Sequence, residues 1–267
     1  MLEKVRARRD APVDVMGCDR LGNAAAAPST FRLETLVAGV LSAQTRDEVT
    51  AGAVQRMRHA ATATIVDDDG YHNHERESSS TSAPSPSPAG AAATPGGGQS
   101  DDGISVQWLL DVPADTLERL LTPVSFHTRK ADYLKRAARI LRDKHADDVP
   151  DTFHGLKALP GVGNKIAFLV LSAAFGKHEG ICVDTHVHRI SNRLGWVGRA
   201  DGTKTKTPEQ TRVALEKWLP PELWWECNTL LVGFGQQVCS AVQPKCGVCP
   251  LADEGVCPSA PNRGEAE

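Results

Sequence analysis

Four cysteines near the end of the chain have the spacing of a metal or cluster site. They follow the pattern Cys239-x6-Cys246-x2-Cys249-x7-Cys257 and lie within 19 residues. Four thiolates this close together make a self-contained ligand set. Zinc is the competing interpretation, but zinc ribbons usually present two C-x-x-C pairs, and this segment has one pair with a single cysteine on each side. The spacing therefore favours a [4Fe–4S] cluster.

The segment L-P-G-V-G-N-K at residues 159–165 has the composition of a tight turn between two helices. Apolar residues at helical spacing precede and follow it, and glycine permits the turn because it has no Cβ. The glycines leave backbone N–H groups bare at the positive end of the second helix, and such an arrangement binds phosphate. An ordinary helix–turn–helix connection is the alternative. The complete pattern favours binding of a DNA backbone, by Leu159, Gly161, Val162 and Gly163.

A lysine and an aspartate follow in positions that could form a catalytic pair. Lys165 ends the glycine-containing segment, and Asp184 lies 19 residues later, in the segment V-D-T-H-V-H-R-I at 183–190. An aspartate just before apolar residues at helical spacing is typical of a helix N-terminus, so capping is one interpretation. The other interpretation is a carboxylate at a helix start that faces the same cleft as Lys165.

Apolar residues recur at intervals of three and four through most of the chain, so the sequence predicts an all-α fold. Thr207 followed by Pro208 predicts a helix N-terminus. The segment from about 66 to 103 is rich in Ser, Pro, Ala, Gly and Thr. It lacks the apolar residues that would offset its ordering entropy, so we expect a disordered insertion at the surface between two helices.

Composition limits the class of protein. The chain has 267 residues, 40% hydrophobic and 24% charged, which excludes wholesale disorder. It has no apolar run long enough to span a bilayer, and its charged start lacks the apolar region of a secretory signal. Seven cysteines are an odd number, and no disulfide framework is expected, so Cys18, Cys182 and Cys227 are predicted to be buried apolar residues. We expect a soluble intracellular protein.

The net charge of −3 conceals a basic part of the chain. Residues 64–103 contain seven acids and one base, so the remainder is net positive, and seven Lys or Arg residues lie between 129 and 144. Such a basic run is usually a solvated helix face. It indicates a phosphate-facing surface when other features point to DNA.

Taken in order, these motifs resemble those of the endonuclease III family of helix-hairpin-helix DNA glycosylases, with most similarity to the eukaryotic branch. The segment L-S-A-Q-T-R-D at 41–47 is also similar to the family's L-S-x-Q-T. The resemblance covers nearly the whole chain outside the insertion. It implies two helical domains that flank a DNA-binding cleft. One is a six-helix barrel with the helix-hairpin-helix at 24–177, and the other is an iron–sulfur cluster domain formed by 1–23 and 178–267.

The resemblance implies a bifunctional DNA N-glycosylase and AP lyase of base-excision repair that removes oxidised pyrimidines. The damaged nucleotide must leave the base stack for the enzyme to reach it. Lys165 would attack C1′ and form a Schiff base, and β-elimination would then cut the strand. An amine attacks only when neutral, so its pKa must fall or a base must take its proton. Asp184 would assist that deprotonation and stabilise positive charge on the sugar.

Further roles are implied for residues at the DNA surface. Gln44 and Phe126 correspond to the family's gap-filling positions: Gln44 would replace hydrogen bonds lost in the vacated space, and Phe126 would be an apolar wedge. A core aromatic is the alternative for Phe126. The cluster would hold the loop 246–249, with Lys245 placed to meet a phosphate. The gap between Cys249 and Cys257 is longer than the family pattern, but lengthening a loop has only a small entropic cost.

Two alternatives remain open from the sequence. An adenine-mismatch glycosylase belongs to the same superfamily but does not use a lysine at the position of Lys165. A non-catalytic module would bind damaged duplex without cutting it, and the joint presence of Lys165 and Asp184 argues against it. The expected partner is double-stranded DNA with oxidised pyrimidines or abasic sites. We expect the protein to be a monomer and do not expect it to bind a membrane. The expected location is the nucleus, with the mitochondrion as a second location.

Overall fold

The computed structural model describes residues 6–68, 103–198 and 202–261, and all regular structure in these ranges is helical. The all-α prediction is confirmed. The α-helices are α1 Pro12–Met16, α2 Pro28–Ser42, α3 Asp47–Asp68, α4 Val106–Asp111, α5 Ala114–Leu121, α6 His127–His145, α7 Phe153–Lys157, α8 Asn164–Phe175, α9 Thr185–Arg193, α10 Pro208–Glu216, α11 Trp224–Gln237 and α12 Pro250–Asp253. Short 3-10 turns lie at Cys18–Arg20, Pro221–Leu223 and Cys246–Val248.

None of the helices in the described ranges is both long and apolar enough to cross a membrane.

The expected insertion at 66–103 begins later than predicted. Helix α3 continues to Asp68, so the first three residues assigned to the insertion belong to this helix. Residues 69–102 lie outside the described residues, and the prediction of disorder there stays a prediction. In the sequence, the acidic residues predict the start of the insertion. Val66, Asp67 and Asp68 are still part of the helix.

The first hydrophobic core surrounds α2, which is buried along most of its length. Leu36, Val37 and Leu41 of α2 are fully enclosed and pack with apolar residues of α3 to α8. Helices α2 and α8 approach each other closely at Gly39, where an added Cβ would lie 3.1 Å from Cγ2 of Ile166. A larger residue at position 39 would therefore force the side chain of Ile166, the neighbour of Lys165, to shift.

A second hydrophobic core joins the N-terminal segment to the C-terminal part of the chain. Ala11 and Val13 pack here with buried residues of α9 to α12, among them Ile190 and Phe234. Cys18 and Cys182 belong instead to the first core. All three isolated cysteines are buried, as predicted, and Cys227 lies in the second core.

The buried carboxylate of Glu34 connects several elements of the first core through hydrogen bonds. The side chain of Glu34 in α2 is fully buried. It accepts hydrogen bonds from the guanidinium of Arg58 at 3.1 and 2.6 Å, from the backbone N–H of Asn23 at 2.7 Å and from that of Ile104 at 3.2 Å. Glu34 therefore ties together α2, α3 and the segments that precede α2 and α4.

Replacing Glu34 with alanine should lower the free energy of unfolding by about 3 kcal/mol, because it removes the acceptor of a charged partner, of the buried N–H of Ile104 and of the partly buried N–H of Asn23. Urea denaturation measures this change. Arg136→Ala is the matched control, because its ion pair with Asp132 is exposed on both sides and should contribute less than about 1 kcal/mol. Equal losses for the two variants would contradict the role assigned to Glu34.

Candidate active site

A cleft of about 930 Å³ opens where residues of the two cores meet. Its walls come from the turn at 17–19, the loop between α2 and α3, the first turn of α8, the segment before α9, the start of α10 and one side of α11. Lys165 and Asp184, the two residues singled out by spacing, both line this cleft. The fold therefore brings the lysine and the aspartate to the same cavity.

The glycine-containing turn places Lys165 in the first turn of α8. Gly161 has a φ of +81°, and a Cβ there would lie 2.7 Å from Cδ2 of Tyr133 in α6, so both its conformation and the space around it require glycine. Gly163 precedes α8 with no side-chain cap, and a Cβ there would meet nothing within 4 Å. The N-terminus of α8 is thus open, as phosphate binding requires.

Leu159 and Val162, for which the sequence predicts DNA contacts, have buried side chains. Leu159 is 2% exposed, and both side chains belong to the first core. Their backbone N–H groups donate within the hairpin, to Leu156 and Leu159 respectively. These two residues therefore shape the turn, whereas Gly161 and Gly163 beside them are exposed.

Asp184 caps α9, as the first interpretation of its motif stated. Its Oδ1 accepts a hydrogen bond of 2.8 Å from the backbone N–H of Val187. The segment before it is held by Asn228 of α11, whose amide donates to the carbonyl of Cys182 at 2.6 Å. The second interpretation is compatible with the first, because one oxygen caps the helix while the carboxylate lines the cleft.

The charge around Lys165 favours the ammonium form. Burial by itself would lower the pKa of Lys165, because the charged form loses hydration. The neighbouring ionisable groups, with Asp184 first among them and Asp47 also contributing, together outweigh burial and hold the pKa above its ordinary value. Of the two routes expected for activating this amine, the structure thus favours proton removal by a base over a lowered pKa.

Among the further carboxylates that line the cleft are Asp47 and Asp19, and the sequence did not single out either as a site residue. Asp47 accepts a hydrogen bond of 2.8 Å from Nε2 of Gln236, whose Oε1 accepts one of 3.1 Å from the N–H of Val13. Burial raises the pKa of both Asp47 and Asp19. Asp47 follows Gln44 by three residues in L-S-A-Q-T-R-D, which was a usable signal, whereas nothing in the sequence marks Asp19.

A polar network connects the start of α8 to α10. Asn164 donates to Oε2 of Glu209 at 2.9 Å, and Glu209 pairs with Arg212 at 2.6 Å. The guanidinium of Arg212 lies 5.4 Å from the ring centre of Phe168, which is on α8. Thr207 caps α10 as predicted, through a hydrogen bond from Gln210. These contacts fix the wall of the cleft beside Lys165.

Gln44 and Phe126 are both exposed and both have left-handed backbone. Their φ angles are 54° and 57°. Gln44 lines the cleft. Phe126 is 57% exposed, so it is not a core aromatic, and that alternative is wrong. Non-glycine residues rarely adopt this conformation, and where they do it is often part of a functional site.

The four cysteines line a single small cavity in the C-terminal part of the chain. Helix α12 and a reversal at Gly255, with a φ of +68°, occupy the longer gap between Cys249 and Cys257. Nη1 of Arg193 lies 3.3 Å from Sγ of Cys239. The described residues contain no group of three or more His, Cys, Asp or Glu side chains placed to hold a single metal ion. The chemistry of this donor set, four thiols around one cavity, fits an iron–sulfur cluster.

Lys245 lies next to this cavity. It is exposed and precedes the 3-10 turn at Cys246–Val248, and its backbone N–H donates to the carbonyl of Val238 at 2.9 Å. Its ammonium is thus accessible from solvent.

The chain is similar to known proteins over nearly its whole length. Residues 37–221 match the family model described as HhH-GPD superfamily base excision DNA repair protein. The mouse protein named Endonuclease III-like protein 1 is 40% identical over 256 residues, which cover 96% of this chain and 69% of the mouse protein. Endonuclease III homolog 1, chloroplastic, of Arabidopsis thaliana is 39% identical and is covered to 57%, against 97% of this chain.

A solved structure supports the same assignment. The structure described as a trapped endonuclease III–DNA covalent intermediate, in an estranged-adenine complex, has a TM-score of 0.62 and 25% identity, with 97% of each chain covered. The motifs in the sequence predicted this family, and the prediction is confirmed. The chain belongs to the HhH-GPD superfamily of base-excision DNA repair proteins and, within it, to the endonuclease III homologues, the DNA glycosylases and AP lyases of base-excision repair.

Proposed function

We propose that this chain removes oxidised pyrimidines from double-stranded DNA and cuts the strand at the resulting abasic sites, with Lys165 as the nucleophile. One observation carries the proposal: Lys165 and Asp184 line the same cleft. Lys165 lies in the first turn of α8, and Asp184 is the N-terminal cap of α9. The family membership supplies the class of reaction, and the cleft supplies the residues.

The reaction requires Lys165 to lose its proton before it attacks. The amine nitrogen then bonds to C1′ while the bond from C1′ to the base breaks, and the departing base takes the electron pair and a proton. Opening of the sugar, with its ring oxygen leaving C1′ as a hydroxyl, gives a protonated Schiff base on Lys165. Removal of a proton from C2′ expels the 3′ phosphate by β-elimination, and water finally releases the lysine.

Asp184 is the group best placed to serve this lysine. Its Oδ1 is engaged in the helix cap, its carboxylate lines the same cleft as Lys165, and its charge raises the pKa of that lysine. The carboxylate would accept the proton of Lys165 and then stabilise positive charge on the sugar. Because the pKa of Lys165 is held above its ordinary value in the free protein, deprotonation must accompany the binding of substrate or the attack itself.

For DNA binding we propose three kinds of contact. The N–H groups at Gly161, Gly163 and the uncapped start of α8 would bind a phosphate of the damaged strand. Gln44 and Phe126 would enter the space that the flipped nucleotide leaves. The exposed Lys245 would meet a second phosphate.

We propose a [4Fe–4S] cluster on Cys239, Cys246, Cys249 and Cys257. The cavity that these four side chains line, and the guanidinium of Arg193 beside Cys239, support it. When bound, the cluster would cross-link the segment 239–257, and the reaction above needs no electron from it. Arg193 and the carbonyls that it binds at Ser240 and Ala241 would hold this segment against α9.

The two hydrophobic cores support a division into a barrel domain at 24–177 and a cluster domain formed by 1–23 and 178–267, with Cys18 and Cys182 crossing the boundary into the first core. We propose a monomer located in the nucleus, with the mitochondrion as a second location. Relatives from mouse and Arabidopsis support a eukaryotic setting, and the Arabidopsis relatives are named chloroplastic.

Lys165→Gln should abolish covalent capture of DNA, because an amide cannot form a Schiff base. Borohydride reduction during reaction with a duplex that carries thymine glycol measures this, since it fixes the Schiff base as a stable adduct. Lys177→Gln is the matched control: this lysine pairs with Asp151 at 2.6 Å, away from the cleft, and the variant should be trapped like wild type. Base release by the wild type without any adduct would contradict lysine catalysis, and binding without reaction would indicate a non-catalytic module.

Asp184→Asn and Asp184→Ala should separate capping from catalysis. Asparagine caps a helix as well as aspartate, so Asp184→Asn should keep its stability, whereas Asp184→Ala should lose about 1 kcal/mol. Both variants lack the carboxylate and should slow single-turnover base release by roughly 10²–10⁴-fold. Urea denaturation and single-turnover kinetics measure the two effects. If Asp184→Asn reacts as fast as wild type, Asp184 is only a cap.

The purified chain should contain about four iron and four sulfide per molecule. Cys257→Ser should lower the iron content and the visible absorbance of the cluster, because it removes a thiolate ligand. Cys227→Ser is the control, since Cys227 is buried away from the cysteine cavity and should leave the iron content unchanged. Zinc in place of iron, or an unchanged iron content in Cys257→Ser, would contradict the proposed ligand set.

A further inference from the structure

A lysine of α6 crosses into the loop between α2 and α3. Lys130 belongs to the basic run at 129–144, yet it is only 5% exposed. Its Nζ donates to the carbonyls of Leu41 and Ala43 at 2.8 and 2.6 Å and to the hydroxyl of Thr45 at 3.1 Å. All three hydrogen-bond positions of the ammonium are therefore used inside the protein.

These contacts involve the residues immediately before and after Gln44 in the sequence. Leu41 and Ala43 supply carbonyls at the C-terminal end of α2, where unpaired carbonyls and the negative end of the helix dipole attract a cation. Ala43 and Thr45 are the two neighbours of Gln44, and both are bound by the same ammonium. The contacts thus hold the backbone before Gln44, whose φ is 54°, and the side chain of the residue after it.

The same group of contacts reaches Phe126. The hydroxyl of Thr45 also accepts a hydrogen bond of 3.3 Å from the N–H of Ser125. The N–H of Lys130 donates to the carbonyl of Phe126 at 3.0 Å, in the first turn of α6. The loops that carry Gln44 and Phe126 are therefore joined through one ammonium and one hydroxyl.

We propose that Lys130 is a positioning residue that fixes Gln44 and Phe126 relative to each other, so that both enter the DNA gap together. This inference rests on the proposed function. Setting the two loops in advance removes the cost of ordering them on DNA. Burial lowers the pKa of Lys130 to about 8, as expected for an ammonium whose named partners are neutral oxygens.

A second lysine on α6 provides a matched control. Lys135 donates to the carbonyl of Leu110 at 3.0 Å and to that of Val112, at the end of α4. Burial lowers its pKa as well. Lys135 therefore makes the same kind of contact on the same helix, but it contacts neither of the loops that carry Gln44 and Phe126.

The test compares Lys130→Met with Lys135→Met in the full chain. Methionine keeps an unbranched apolar stem and removes the ammonium. Borohydride trapping is measured on an abasic site in a duplex and on the same strand alone. A single strand has no partner base and leaves no gap to fill, so capture there requires only the cleft and Lys165. Fluorescence of 2-aminopurine beside the lesion in the duplex reports the opening of the stack.

For Lys130→Met we expect duplex trapping to slow by roughly ten- to hundredfold, with a weaker 2-aminopurine signal, while single-strand trapping stays within about twofold of wild type. Lys135→Met should stay within about twofold on both substrates, because the ammonium of Lys135 binds carbonyls of the protein and not a phosphate. Thr45→Val, which removes only the shared hydroxyl, should show a smaller loss on duplex alone and replaces Lys130→Met if that variant does not fold.

The outcomes are distinguishable. Equal losses on duplex and single strand would overturn the positioning role, because they would mean a general loss of structure. Unchanged duplex trapping in Lys130→Met, or an equal loss in Lys135→Met, would overturn it too. If wild type is trapped on neither substrate, the proposed lysine chemistry itself fails.

Discussion

The cleft depends on keeping a charged lysine where water has limited access. Moving an ammonium out of water is costly unless opposite charge lies close to it, and the carboxylates near Lys165 supply that charge. They come from distant parts of the chain: Asp47 follows α2 in the first core, and Asp184 precedes α9 in the second. The state of the lysine therefore depends on both cores being folded and packed against each other.

The cleft has two electrostatic requirements that oppose each other, one for binding phosphate and one for holding an ammonium. The N-termini of α8 and α9 both face the cleft, and their positive ends attract phosphate but disfavour an ammonium. Asp184 offsets this at α9, since its carboxylate caps that helix and its charge raises the pKa of Lys165 in the same cleft. The N-terminus of α8 has no side-chain cap and so keeps its attraction for a phosphate.

Local spacing was enough to single out Lys165 and Asp184 as candidates, because each lies in a short, recognisable motif, and the fold brings both to one cleft. Helical periodicity likewise predicted the fold class. The groups that the sequence missed act across long separations: Gln236 reaches Asp47 from α11. Lys130 was counted in a solvated basic run, because a run of charges does not reveal which side chain turns inward. Only the packing of α6 against the end of α2 decides that.

Helix α9 connects the candidate catalytic residue to the cysteine cavity. Asp184 caps its first turn in the cleft, and Arg193, its last residue, binds Sγ of Cys239 and the carbonyl of Ser240. Nine residues of helix span roughly 14 Å, and a helix transmits a displacement at one end to the other because it is stiff along its axis. Arg189 adds a bond of 2.8 Å to the carbonyl of Cys239. A cluster held by these cysteines would therefore be anchored to the helix whose N-terminal cap, Asp184, lines the cleft with Lys165.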